Sequence, residues 1–275
     1  MNIDTKNNNK YFFGLYIVAT PIGNLGDISR RAIETIKKAD FIICENPNHS
    51  LKLLNNLGIK KKLVSLHDHN EKTVIKKISR HLDNKIIVLI SDAGSPLISD
   101  PGYNLIKHCI KNQIKITTIP GPNSIIPSLQ LSGFSLNEFK FLGFFPKNSK
   151  QIKSFVEKID SSNCTSVFFV SSHKIKALLN IIESKLEKRS ISIIKELTKI
   201  NEKVFRGAGH NIKKLMDDKI ENLKGEFVVV IEGKTLKKTD SVDLDEYNEL
   251  INKLLLKFSL TDVVEIVHKL TGITK

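Results

Sequence analysis

At 275 residues and 40% hydrophobic content the chain is long enough to bury a substantial core, most simply as two domains; no apolar run approaches the ~20 residues that a helix needs to cross a bilayer. The formal net charge is +14, and only five of the 43 basic residues are arginine. A polyanionic partner such as nucleic acid and an AT-rich coding bias both produce that balance, so charge alone supports an RNA substrate only weakly.

In chain order, residues 1–13 are polar and lack the apolar stretch of a signal peptide, which predicts a flexible tail on a cytoplasmic protein. Leu15 to Ala19 reads as a first strand entering the turn Thr20-Pro21-Ile22-Gly23-Asn24. Asp27 or Ser29 caps a helix from Arg30 to Ala39 with Ala32, Ile33, Ile36 and Ala39 on its apolar face. Phe41 to Cys44 is a second strand ending at Glu45 and the loop Asn46-Pro47-Asn48-His49, and a helix from Ser50 stops at Gly58. Leu63 to Leu66 is a third strand, followed by His67-Asp68-His69-Asn70-Glu71 and a helix to about Leu82.

The fourth strand, Ile86 to Ile90, is a continuous apolar run, the pattern of a strand buried on both faces. It breaks into Ser91-Asp92-Ala93-Gly94-Ser95-Pro96 and again at Asp100-Pro101-Gly102 before a helix begins. Such loops at the carboxyl end of a buried strand are where open α/β sheets place ligands, although the same residues also make ordinary turns. Lys115 to Ile119 is the fifth strand and ends in Pro120-Gly121-Pro122-Asn123-Ser124. Five strand–helix alternations predict an α/β domain with a largely parallel sheet whose loops gather at one edge. No GxGxxG follows the first strand, which argues against a dinucleotide site.

After a linker at 132–140, a second α/β segment is expected. Its strands are Ser166 to Val170, running into Ser171-Ser172-His173-Lys174, then Ile191 to Ile194, running into KELTK, and a closing strand in GEFVVVIEG. Val204 to Gly207 reads as a connection before a short helix. Two amphipathic helices from Asp243, capped at Ser259 or Thr261, form a tail. The domain boundaries expected are 14–134, 135–236 and 237–275. Cys44, Cys109 and Cys164 are far apart without a CxxC pair, which fits reduced structural thiols rather than disulfides or zinc.

The segments LYIVATPIGNLGDISRRAIETIKKADFIICE, SLHDHNE, ISDAGSPLISDPGYNLI, IPGPNSIIPSLQLSGF, KELTK and GEFVVVIEG, in this order, resemble the ribosomal RNA small-subunit methyltransferase I family, a branch of the tetrapyrrole-methylase (class III methyltransferase) superfamily. The resemblance runs from Leu15 to Thr274. It implies two α/β domains with a cleft between them, a helical C-terminal tail, a homodimer, and S-adenosylmethionine as cofactor. It implies 2′-O-methylation of a cytidine ribose in the decoding region of 16S rRNA within the 30S subunit. The cofactor contacts it implies fall on Pro21, Asp92, Ala93, Gly94, Ser95, Pro96, Asp100, Pro101, Gly102, Pro120, Gly121, Pro122, Asn123 and Ser124. The chain departs from the family pattern at Asn46-Pro47-Asn48, where an acid, a threonine and an arginine are usual. It departs again at Ser172 and Lys174 and at Lys195. These changes bear on RNA affinity or rate more than on the cofactor site. A cofactor- and 30S-binding protein with weakened catalysis, and a methylase of small tetrapyrrole-type molecules, are the alternatives.

A ribose hydroxyl is a poor nucleophile and needs a base or a charge-stabilising group. The post-strand loops offer Glu45, His49, His67, Asp68, His69, Glu71, His173 and Glu196. Glu45, ending an apolar strand, ranks first, then His69, then Glu196. His67 and His69 are two apart at a strand end and are expected to face opposite sides. Their ligand set is incomplete, and no metal is expected. Asp92 ranks above Asp100 as a functional carboxylate, because Asp100 stands where a helix cap belongs. Lys174, Lys195, Lys199 and Arg206 are the candidates for RNA contact, against a reading as solvated edge.

Overall fold

The computed structural model describes residues 11–217, 223–234 and 244–271, and its strands form two five-stranded sheets. The first half alternates β1 (Gly14–Val18), α1 (Arg30–Lys38), β2 (Phe41–Cys44), α2 (Pro47–Asn56), β3 (Lys62–Ser65), α3 (Glu71–Ile78), β4 (Ile86–Leu89), α4 (Tyr103–Lys111), β5 (Ile116–Ile119) and α5 (Ile125–Ser132). All strand pairs in this sheet are parallel, in the order β3-β2-β4-β1-β5.

The unbroken apolar run of β4 is satisfied on both faces. Ile87 and Leu89 join a core with Leu105 of α4 and Val74 and Ile78 of α3, while Val88 and Ile90 join Ile36 of α1 and Leu54 of α2. Each such side chain, removed from water, stabilises the fold by about 1.5–3 kcal/mol. Because β4, β1 and β5 are neighbours, the loops at 19–24, 90–102 and 120–124 emerge side by side. The chain leaves β1 toward β2 on one side and reaches β5 on the other, the strand-order reversal that opens a crevice in such sheets.

Local chemistry moved several expected boundaries. Helix α2 starts at Pro47, not Ser50, because Asn46 accepts from the N–H groups of Asn48 (3.0 Å) and His49 (3.4 Å), and Pro47 supplies a helical φ at the first position. Helix α3 ends at Ile78 and tightens into a 3-10 turn at Ser79–His81. Of the predicted tail, residues 1–10 lie outside the described residues, but Tyr11 and Phe12 are packed. The Phe12 ring stacks on Tyr16 at 4.7 Å, and the two residues exchange hydrogen bonds through the Tyr16 hydroxyl.

The second half contains β6 (Phe139–Phe144), α6 (Ser149–Asp160), β7 (Thr165–Ser171), α7 (Ile175–Lys185), β8 (Ser190–Lys195), β9 (Lys203–Ala208), α8 (Gly209–Asp217) and β10 (Glu226–Ile231). Its order is β6-β7-β10-β8-β9; β6 and β7 are parallel and the other pairs antiparallel. The segment expected as a connection at Val204 to Gly207 is β9, paired with β8 throughout. Its strand character is hidden by Gly207 and Ala208. The strand in GEFVVVIEG is last in sequence but central in the sheet, which is why its apolar run is unbroken. One face of the sheet carries α6, α7 and α8. The other face, including Val167, Ile194, Val228 and Val230, packs on Leu129 of α5 and on Ile22.

The chain divides into two units, residues 1–232 and 233–275. The second contains α9 (Leu244–Leu255) and α10 (Leu260–Thr271). Ser259 and Asp262 cap α10 reciprocally: the Asp262 N–H donates to the Ser259 hydroxyl and the Ser259 N–H to the Asp262 carboxylate, each at 3.3 Å. Asp243, Lys237-Lys238 and residues 272–275 lie outside the described residues.

Candidate active site

The three adjacent loops are stitched to one another. Thr20 and Gly94 exchange both backbone hydrogen bonds at 2.9 Å. The buried Thr20 hydroxyl donates to the Ser91 carbonyl (3.3 Å), and the Ser95 hydroxyl donates to the Pro122 carbonyl (3.3 Å). Gly94 has φ +80°, and a Cβ there would sit 3.2 Å from Ile22, so both conformation and space select glycine. A Cβ on Gly121 would meet that of Ala19 at 3.1 Å. Asn123 caps α5 by accepting from the Ile126 N–H at 2.9 Å.

Between these loops and the face of the second sheet turned away from α6, α7 and α8 lies a cavity of about 490 Å³, within the range of small-molecule sites. Asp92, Ala93, Gly94, Ser95, Asp100, Asn123 and Ser124 line it. The other residues expected to hold a cofactor shape that wall without lining it. Pro21 follows the Thr20–Gly94 bridge, Pro96 is buried, Pro101 and Gly102 lead into α4, Pro120 and Gly121 cross Ala19, and Pro122 serves Ser95. The opposite wall was not foreseen: Phe144, Phe169, Ile194, Leu197, Phe227 and Val228. Their apolar character read as core, and only the packing of two sheets onto one space exposes their second role. Backbone strain sits on both walls. Leu97 and Ser99 have φ +76° and +69°, and Glu196 and Thr198 have +54° and +65°. Non-glycine residues in that region cost about 1–3 kcal/mol each and cluster at functional sites.

A family model described as Tetrapyrrole (Corrin/Porphyrin) Methylases matches residues 14–213, which span both sheets up to α8. The chain belongs to this family. It is 41% identical over 220 residues to the ribosomal RNA small subunit methyltransferase I of Halalkalibacterium halodurans, covering 80% of this chain and 75% of that one. To proteins of the same name from Pasteurella multocida and Buchnera aphidicola it is 38% and 39% identical, with 92–93% of this chain and 92% of each relative covered. Among solved structures it is similar in fold to a diphthine synthase (TM-score 0.61, 19% identity, 80% of this chain and 90% of that one). It is also similar to the uroporphyrin-III-C-methyltransferase of Thermus thermophilus (TM-score 0.55, 15% identity, 80% and 94%).

Within this methylase fold the carboxylates divide sharply. Glu45, Asp92 and Asp100 gather beside the first wall. Glu45 is open to solvent on one side and does not line the cavity; loss of water from its walls raises its carboxyl above the ordinary range, Asp92 and Asp68 add to this, and His67 opposes it. Asp92 accepts from the Asn46 N–H at 3.3 Å. Asp100 is pushed up to about 6, by burial first and then by Glu45, with the Ser91 hydroxyl working against the shift and Asp92 adding to it.

Other expected acids and bases serve the scaffold. Glu71 is only 4% exposed and accepts from the Asn104 side chain (2.7 Å) and the Leu105 N–H (3.0 Å), so it caps α4 from a neighbouring helix. Glu196 accepts from the Glu226 N–H (2.8 Å) and the Lys199 ammonium (3.1 Å). Partial burial pushes its carboxyl up, but those two donors overcome it and hold it below the ordinary range. A carboxylate so anchored is a poor base. His69 is exposed in the turn after β3. It does not face away from His67, since their rings lie 6.1 Å apart. The strand ends at Ser65, and Asn70 folds the chain back by accepting from the His67 N–H at 2.9 Å, so strand alternation no longer applies.

The candidate RNA contacts have partners within the protein, as Lys174, Arg206 and Lys199 illustrate. Lys174 donates to the carbonyls of Phe145 (3.3 Å) and Pro146 (2.9 Å). Arg206 donates to the Leu131 carbonyl at the end of α5 (2.7 Å). Lys199 bridges Glu196 and Glu226 at 3.1 Å each. Lys195 ends β8. Gly23 of the first loop packs on this segment: a Cβ there would meet the Lys199 side chain at 2.5 Å. That contact joins the two walls and accounts for the glycine in TPIGN.

Proposed function

We propose that the protein is an S-adenosylmethionine-dependent methyltransferase that modifies the ribose 2′-oxygen of a cytidine in the decoding region of 16S rRNA, acting on the 30S subunit. The observation that carries this is identity of 36–41% to relatives that share one name, ribosomal RNA small subunit methyltransferase I, over 80–93% of the chain. The site fits the cofactor. Gly94 leaves a cradle that a Cβ would fill, Ala93 and Ser95 keep the rim small, and the cavity has the volume for a ligand of that size. When bound, the cofactor supplies an electrophilic methyl group on a sulfonium. Asp92, Ala93, Gly94, Ser95, Asn123 and Ser124 would hold it, and the apolar wall of Phe169, Leu197 and Val228 excludes water from the reacting centre.

We take residues 14–134 and 135–236 as the two domains that contribute the two walls, and the active form as a cytoplasmic homodimer. The altered loop Asn46-Pro47-Asn48 builds an ordered helix start whose Asn46 N–H braces Asp92, which favours an intact site over a weakened one. The test is transfer of labelled methyl groups to 30S subunits lacking the modification, with the methylated nucleotide located by reverse transcription at low nucleotide supply. Label on one cytidine 2′-oxygen in the decoding region is expected. Label on a porphyrinoid and none on the subunits would replace this reading with the small-molecule alternative.

A further inference from the structure

The helix-cap position before α4 is occupied in sequence by Asp100, but the cap is made elsewhere. Gly102 is the N-cap residue and offers no side chain, and the Leu105 N–H is taken by Glu71, reaching across from α3. Asp100 is thereby released from capping α4, and the chain holds it against the cavity instead, with the Ser91 hydroxyl beside it. Leu97 and Ser99 on one side take the left-handed conformation, and Gly102 on the other has φ +122° with its missing Cβ space filled by Leu97 at 2.9 Å. A short segment with three such residues places this one carboxylate where it lines the ligand space.

We propose that Asp100 is the carboxylate that receives the proton of the ribose hydroxyl during methyl transfer. The proposal rests on the 2′-O-methylation reading above. In the step, the ribose O–H bond breaks and its proton goes to a carboxylate oxygen of Asp100. The oxygen lone pair forms the new O–C bond as the C–S bond breaks, and that electron pair stays on sulfur. A sulfonium and a carboxylate become a thioether and a carboxylic acid, so charge is annihilated inside the cleft.

The competing carboxylates fit the role less well. Asp92 lines the cavity but accepts from a fixed backbone donor, the Asn46 N–H, whereas the donor at Asp100 is the rotatable Ser91 hydroxyl; Glu45 lies outside the lining. Glu71 and Glu196 are bound to their own donors. The charged and titratable groups around Asp100 are Glu45 after β2, with Asp68 and His67 beside it, Asp92 after β4, and His173 and Glu226 on the far wall. The near ones are mostly negative, and together with burial they raise the proton affinity of Asp100 toward working pH, where a general base is most effective.

The experiment has two readouts. The first is single-turnover methyl transfer to unmodified 30S subunits across about pH 5 to 9, with cofactor affinity by calorimetry, for wild type, Asp100→Asn and Asp100→Glu. The wild-type rate should rise with pH through an inflection near 6 and level off. Asp100→Asn should lower the rate by roughly 10²–10⁴-fold and abolish the inflection while binding cofactor within about threefold of wild type, and Asp100→Glu should restore part of the rate. The second readout needs no turnover: carbon-13 NMR of the Asp100 carboxyl in the cofactor-free protein. It should titrate near 6 and move lower in Glu45→Gln, which removes a repelling charge. An active wild type with an equally active Asp100→Asn overturns the proposal, as does an Asp100 carboxyl that titrates as an ordinary aspartate. So does a variant whose only defect is lost cofactor binding. Wild-type protein inactive on these subunits overturns the substrate reading, and this proposal with it.

Discussion

The two walls of the cavity use the same residue types to opposite ends. On the second wall, Glu196 is surrounded by donors, and it locks a strained loop between β8 and β9 to the edge of β10 through Lys199 and the Glu226 N–H. On the first wall, Glu45, Asp92 and Asp100 face one another, and none makes an ion pair among the described residues. One arrangement lowers a carboxyl and spends its charge on rigidity; the other raises a carboxyl and keeps it reactive. The lesson is that a carboxylate on a post-strand loop is uninformative until its donors are counted.

Four measurements would break or sharpen that contrast. The largest effect is expected for Gly94→Val, which puts a β-branched residue at φ +80° and presses on Ile22. Cofactor affinity by calorimetry should fall at least a hundredfold, about 3 kcal/mol. An unchanged affinity would show that this loop is not the cofactor's seat.

Next is the stability of Asp100→Asn. A carboxyl raised from 3.8 to about 6 binds its proton more tightly folded than unfolded. The native state is therefore penalised once pH exceeds the unfolded value, with the full penalty above about 6. Asn removes that penalty, so the variant should be more stable than wild type by roughly 2–3 kcal/mol near pH 8 and equal to it near pH 3, by urea unfolding.

Glu71→Ala should destabilise the protein by about 2 kcal/mol in the same assay, because it strips a buried cap and leaves the Leu105 N–H unpaired.

The smallest effect is expected on the paired wall. Lys199→Met should cost about 1 kcal/mol, since the bridge is partly exposed. Here the sign reverses: the depressed Glu196 carboxyl stabilises the fold above its unfolded value, and that contribution fades as pH falls through the folded value. The difference between Lys199→Met and wild type should therefore shrink in acid, where the Asp100→Asn difference also vanishes, although the two have opposite signs at neutral pH.

Much of this was legible in the residues. The buried run Ile86 to Ile90 and the three small-residue loops after β1, β4 and β5 announced a parallel sheet with a ligand crevice, because burial on both faces leaves an unbroken apolar run that turns cannot imitate. What stayed hidden depended on partners distant in sequence. Glu71 caps a helix that begins more than thirty residues later, so Asp100 looked like the cap. Phe169 and Leu197 line a cavity only because another sheet faces them. Lys174 and Arg206 looked like phosphate ligands until their carbonyl partners were in place. The strand β9 was missed because its glycine and alanine residues read as a turn, while its pairing with β8 supplies what its propensity lacks.

The Thr20–Gly94 bridge has a thermodynamic consequence. Two residues that leave neighbouring parallel strands turn to pair with each other in the antiparallel sense, which fixes the rim of the crevice before anything binds. A flexible loop would forfeit about 1–2 kcal/mol of backbone entropy for every residue that a ligand had to order. Here that ordering is completed during folding, so contact with the ligand is converted into affinity and alignment with little loss.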